Sequence, residues 1–147
     1  MTAENNRLVI RWRLHLKSAP PAVFEMLATD EGRSRFWAES AVEADGSIHF
    51  RFPNGQSWSG RLLERAAPRR LAVEYVGGSV ATFELEGDGR GGTDLTLTDE
   101  GVPTTDYAEV SAGWASVLLA LKAAVDFGAD LRNHDAERIW DAGFVDN

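Results

Sequence analysis

The 147-residue sequence predicts a single α+β domain in which a curved antiparallel sheet wraps one long C-terminal helix. Three observations carry that prediction. The chain opens, behind a polar lead, with a strictly alternating apolar segment. Turn residues then recur roughly every eight to twelve positions between short segments of period two. Near Thr105 the apolar spacing changes to three and four, the period of a helix.

Leu8, Ile10, Trp12, Leu14 and Leu16 alternate with Val9, Arg11, Arg13, His15 and Lys17, the pattern of a strand with one buried and one wet face. Ser18-Ala-Pro-Pro21 stops it: Ser18 can cap, the prolines suit a first helical turn, and a short helix from Pro20 to Ala28 would bury Val23, Phe24 and Leu27. Thr29 or Asp30 can cap a second short helix running through Arg33 to Trp37. From there the period is that of sheet. Ile48, Phe50 and Phe52 share a face and end at Pro53-Asn-Gly55, whose Asn-Gly pair tolerates positive φ. Trp58, Gly60 and Leu62 oppose Ser59, Arg61 and Leu63, and Pro68 breaks that strand. Leu71, Val73 and Tyr75 alternate with Ala72, Glu74 and Val76 before the Gly77-Gly78 turn. Ala81, Phe83 and Leu85 form the next row, Gly87 to Gly92 the next turn, and Leu95 and Leu97 the last row. Consecutive strands joined by tight turns pair antiparallel. Between Thr105 and Leu131 no proline occurs, and Tyr107, Val110, Trp114, Val117, Leu118, Leu121, Val125 and Phe127 or Gly128 make the stripe of an amphipathic helix. Thr104, Thr105 or Asp106 can cap it, and the element order is β-α-α-β-β-β-β-β-α.

No repeat, low-complexity tract or linker divides residues 1–147, so they read as one domain with a tail at 133–147. A chain of this length buries roughly 70% of the surface it exposes unfolded, enough for a core without staples. It has no Cys, which excludes disulfides and thiolate metal sites. Fifteen Lys and Arg against 23 Asp and Glu give a net charge of −8, which argues against general nucleic-acid or anionic-membrane binding. Neither a signal-peptide pattern nor an apolar run near the ~20 residues of a membrane span stands out, so the chain reads as cytoplasmic. Arg61, Arg65, Arg69 and Arg70 gather near a turn, as solvated strand ends or as a contact for an anion or acidic partner.

A twisted sheet has one apolar face, and the closing helix is the only element long enough to cover it. Many inward positions are large rings, yet Gly60, Ala81 and Gly113 are small and lie near the same surfaces. Both a ring-lined apolar pocket and a dry packed core satisfy that spacing. The order of elements, with Trp58-Ser-Gly-Arg-Leu-Leu-Glu-Arg65, Pro68-Arg-Arg-Leu71, Gly92-Thr-Asp-Leu-Thr-Leu97 and Gly113-Trp114, resembles the SRPBCC (START-like) superfamily. Within it the chain is similar to the group of the C-terminal domain of the activator of the Hsp90 ATPase. The likeness covers nearly the whole chain and implies a helix-grip fold with a deep hydrophobic cavity. These motifs mark turns and packing, so they leave the job open among sterol and hormone binders, plant allergens, aromatic cyclases and chaperone regulators. The chaperone activator carries a second, N-terminal gripping domain, whereas a seven-residue polar lead precedes the first strand here, which argues against direct Hsp90 regulation.

His15, His49 and His134 have no metal-ligand spacing, so no metal is expected, and no cofactor is implied. Asp130, His134 and Arg138 would share a helix face if the last helix continued, and read first as a salt-bridged helix end. No nucleophile elbow, phosphate loop or dinucleotide fingerprint occurs, and Gly87-Asp-Gly-Arg-Gly-Gly92 joins two strands as a hairpin turn. Catalysis would need an inward acid or base, with Tyr75, Glu84, Asp99 and Glu64 the candidates by strand position. Glu84 opposes Phe83 in the alternation and faces water, and Glu64 sits at a strand end.

Trp140, Phe144 and Val145 stand among acids in the tail and are expected to dock over the helix or a cavity mouth, or to meet a partner protein. The favoured reading is binding, without catalysis, of a small hydrophobic or amphipathic molecule between sheet and helix. Trp37, Phe50, Phe52, Trp58, Tyr75, Phe83, Trp114 and Leu118 would line the pocket, and Tyr75 would supply a hydrogen-bonding group. The alternatives are a chaperone-regulator-like interaction module and an aromatic-cyclase-like enzyme.

Overall fold

Alternating residues build β1 (Arg7–Leu16), and the Pro-Pro pair opens α1 (Pro20–Ala28), followed by α2 (Asp30–Ser34). The computed structural model describes residues 7–147, so the polar lead at 1–6 lies outside the described residues. Six strands follow: β2 (Ser40–Ala44), β3 (Ser47–Arg51), β4 (Ser57–Ala66), β5 (Arg70–Glu74), β6 (Val80–Gly87) and β7 (Thr93–Pro103). They join β1 in one seven-stranded sheet ordered β1-β7-β6-β5-β4-β3-β2, every neighbour antiparallel. The long helix α3 (Tyr107–Phe127) closes the fold.

One strand more than expected is present. In β2 only Ala41 is fully buried and Val42 is exposed, so its apolar period is too faint to read from sequence. Its hairpin to β3 turns through Asp45 and Gly46, both at positive φ (55° and 79°). The edge strand β1 also departs from a clean alternation. Leu8 and Trp12 stay exposed although Ile10 and Leu16 are buried, because an edge strand packs a neighbour on one side only.

Helix ends differ from expectation in four places. Ser18 does not cap α1, whose N-cap is Ala19; its hydroxyl instead donates to Asp126 Oδ1 at 2.8 Å, tying the end of β1 to α3. Thr29 does cap α2, accepting from Gly32 N, but α2 stops at Ser34 and Arg35–Trp37 form a turn. At the start of α3 no side chain caps, since Thr104–Asp106 form a 3-10 turn. Gly128 (φ 63°) ends α3 in the left-handed conformation, so Leu131 lies beyond the helix.

Ile10, Leu27, Ile48, Leu71, Val73, Leu95, Leu97 and Leu121 fill the space between α3 and the inner sheet face. Each buried side chain of this size contributes about 1.5–3 kcal/mol. By length and apolar composition alone, the stretch Thr104–Phe127 could cross a membrane, which corrects the reading that no such run exists. Here it is the core helix, held to β1 by Trp12 Nε1 donating to the Ser111 carbonyl and Lys122 Nζ to the His15 carbonyl. Arg33, fully buried, knits α1, α2 and β2 by donating to the Leu27 and Ala41 carbonyls and to Asp30 Oδ1. Burial pulls its guanidinium below the ordinary value. In the arginine cluster, Arg65 pairs with Glu43 and Arg70 with Glu64 and Glu84, so these two are strand-face ion pairs.

Candidate functional site

Gly60 sets the geometry of the site. A Cβ there would stand 1.7 Å from the Glu74 carbonyl oxygen, so only glycine lets the β5 backbone come this close to β4. Gly60 therefore leaves no void, contrary to the expectation from its size. The close approach places Tyr75, the next residue, in van der Waals reach of Trp58, at 5.4 Å between ring centroids and nearly perpendicular. Trp58 stacks on Phe52 at 4.5 Å, and Tyr75 lies on Trp114 of α3 at 4.7 Å. Trp37, delivered by the turn after α2, packs on Phe50, Phe83 and Trp114 and donates its indole N–H to Tyr75 Oη at 3.0 Å. Burial drives the Tyr75 phenol well above its usual range.

These rings wall a half-enclosed cavity of about 460 Å³. Five of the eight residues expected there, Trp37, Phe52, Trp58, Tyr75 and Trp114, lie on its wall. Phe50, Phe83 and Leu118 do not: they sit behind the wall, packed into the core at 2%, 0% and 3% exposure. The helical stripe read as one face is in fact two. Leu118 and Leu121 turn to the core, whereas Val110, Gly113, Val117 and Ala120 face the cavity, and Trp114, though buried, closes the wall between the two. A Cβ at Gly113 would meet nothing within 4 Å, so this glycine does open space.

The tail supplies the rest of the wall through Leu131, Arg132, Trp140 and Val145–Asn147. Ser116 Oγ donates to the Val145 carbonyl and Trp140 Nε1 to Glu109 Oε1, both at 3.2 Å, and Asn54 Nδ2 donates to Asp141 Oδ1 at 3.1 Å. Arg132 reaches back to the Ser34 and Ala38 carbonyls, each at 2.8 Å. Asp130, His134 and Arg138 share no helix face, because α3 has already ended. His134 bridges Asp130 (2.7 Å) and Glu39 (2.8 Å), and Arg138 turns to Asp135. Those two acids raise the His134 pKa, Asp130 first. Two buried donors on the cavity wall, Trp58 Nε1 and Asn147 Nδ2, have no hydrogen-bond partner.

The catalytic candidates do not assemble. Glu64 and Glu84 both pair with Arg70, away from the cavity. Asp99 is fully buried, and burial raises its pKa, but it sits behind Trp114, whose indole N–H donates to its Oδ2 at 2.8 Å; its Oδ1 has no partner. His15 bonds Asp88 and His49 bonds Ser59, and among the described residues no three ligating groups are placed to hold a metal ion.

A curved antiparallel sheet gripping a C-terminal helix defines a helix-grip protein of the SRPBCC superfamily. The chain belongs to the family of activator of Hsp90 ATPase homolog 1-like proteins, whose model matches residues 17–126. Its fold is similar to the solution structure of the Aha1 dimer from Colwellia psychrerythraea (26% identity, 82% of this chain and 98% of that one, TM-score 0.73). It is also similar to the AHSA1-like protein from Aeromonas hydrophila (19%, 82% and 94%, 0.71). A third likeness is to DynU16, a putative protein in the dynemicin biosynthetic locus (18%, 83% and 48%, 0.71). No curated protein matches the chain.

Proposed function

We propose that this protein binds a small hydrophobic or amphipathic molecule in the cavity between the sheet, α3 and the tail, without transforming it. One observation carries the reading: a space of about 460 Å³ walled by stacked rings from β3–β5, the α2 turn and α3. That volume falls within the roughly 300–1,000 Å³ of small-molecule sites, whose walls are likewise mostly apolar. Trp37, Phe52, Trp58, Tyr75 and Trp114 supply contact area, and the Tyr75 hydroxyl, which already accepts from Trp37, retains a proton to donate. Family membership is consistent with a ligand-binding or regulatory role. In this reading residues 7–147 act as one unit with the tail as the cavity's mouth, and the lack of Cys fits a cytoplasmic location.

Native mass spectrometry of freshly purified protein tests the proposal: a co-purified small molecule is expected, lost in Tyr75→Phe/Trp58→Ala protein. A bare-chain mass, together with no thermal shift from naphthalene- or indole-based probes, refutes it. A second reading, a protein-interaction module, draws on the exposure of Phe144 and Val145 in the tail. Capture of a chaperone from lysate, abolished by Phe144→Ser but retained in Trp58→Ala, would favour that reading.

A further inference from the structure

We infer that the molecule the cavity takes is an aromatic organic cation, a protonated amine or quaternary ammonium carried on a flat ring body. This rests on the cavity reading above and adds the sign of the ligand's charge. Three carboxylate side chains border the cavity, Asp106 and Glu109 at the start of α3 and Asp146 in the tail. Among the described residues the only basic side chain on the wall, Arg132, is 8% exposed and already committed. Its Nε and Nη2 bind Asp130 at 2.9 and 3.0 Å, and its Nη1 and Nη2 also donate to the Ala38 and Ser34 carbonyls. A ligand carboxylate or phosphate would find no free cation there and would face three like charges. The positive end of the α3 dipole, equivalent to about half a charge, offsets only a fraction of them.

The rings favour the same sign. Indole and phenol faces carry negative quadrupole density, so a cation beside Trp58, Tyr75 or Trp140 is attracted by the wall while its aromatic body stacks on it. The net charge of −8 over the whole chain adds a long-range attraction for cations and repulsion for anions. A neutral aromatic molecule gains the stacking and none of the electrostatics.

Isothermal titration calorimetry on the full chain at pH 7 with three probes sharing one ring body reads this directly: 1-naphthylmethylammonium, 1-naphthalenemethanol and 1-naphthoate. The expected order of affinity is cation, neutral, anion, with about tenfold between the ends at low salt and a ratio that shrinks in 0.5 M NaCl. The Asp106→Asn/Glu109→Gln/Asp146→Asn variant is expected to bring the ratio close to one; Gln at 109 keeps an acceptor for Trp140. Should that variant not fold, the salt series on the unmodified chain still decides. Equal affinities, or tightest binding of the naphthoate, overturn the charge assignment and leave the cavity reading standing. No binding by any of the three overturns both.

Discussion

Replacing Trp114 by Ala tests how the helix and sheet are joined. The side chain is 1% exposed, lies on Tyr75 and Phe83, and gives Asp99 its hydrogen bond. Truncating a buried Trp to Ala costs about 3–5 kcal/mol from lost transfer energy and the void left behind. Orphaning a fully buried acceptor adds about 1–3 kcal/mol. Together these approach the whole stability of a domain, about 5–15 kcal/mol, so the variant should be largely unfolded or close to it at 25 °C. Trp114→Phe isolates the polar part: it keeps most of the ring and loses the N–H, at about 1–3 kcal/mol in the native background. In an Asp99→Asn background the same change should cost less, because a neutral amide left without that donor is cheaper to bury than a carboxylate. Urea denaturation followed by circular dichroism gives all four corners of the cycle. A Trp114→Ala loss below about 1 kcal/mol, or the same Phe penalty in both backgrounds, would refute the placement of Trp114 against Asp99.

Further outcomes follow from single residues. Burial raises the Asp99 pKa above its unfolded value, so its contribution is full below that value and is lost as pH rises through the folded one. The stability of Asp99→Asn relative to the native chain should therefore improve from pH 4 to pH 7, and an unchanged difference would contradict the burial. His134 is likewise raised, by Asp130 and Glu39, so its hold on the tail is strongest below the unfolded value of 6.5 and fades as pH climbs through the folded value. The Trp140 indole NMR signal should report that titration and lose it in His134→Gln. Gly60→Ala drives a Cβ into the Glu74 carbonyl and should prevent soluble expression or cost at least ~3 kcal/mol. Gly113→Ala, in open space on a helix, should instead raise stability by about 0.5–1 kcal/mol in a thermal melt while narrowing the cavity and weakening ligand binding.

Strand and helix order were readable because β1, β3 to β7 and α3 each carry enough apolar residues to display their period. The faint strand β2 was not, since one buried Ala is no pattern. Three ring positions on the cavity wall, Phe52, Trp58 and Tyr75, followed from alternation, because the parity of a strand residue decides which face it takes, and Trp114 followed from the helical spacing. What alternation cannot say is depth within that face: Phe50 and Phe83 point inward like Phe52 and Tyr75, yet they are covered by Trp37. The void expected at Gly60 failed for a related reason, as a small residue marks either empty space or a close backbone, and the sequence does not distinguish them. Nor does it show that Arg132, beyond the helix, reaches carbonyls 94 and 98 residues away and brings the tail onto the cavity.

The five tryptophans offer the most direct measurement of ligand binding in this cavity. Trp37, Trp58, Trp114 and Trp140 line it, and Trp12 lies outside on β1 with its indole bound to Ser111. In a 1H–15N correlation spectrum titrated with 1-naphthalenemethanol, the four cavity indole signals should move together along one saturating curve while that of Trp12 stays in place. Four stationary cavity signals at millimolar probe, or a Trp12 signal that moves with them, would contradict a ligand seated between sheet, helix and tail.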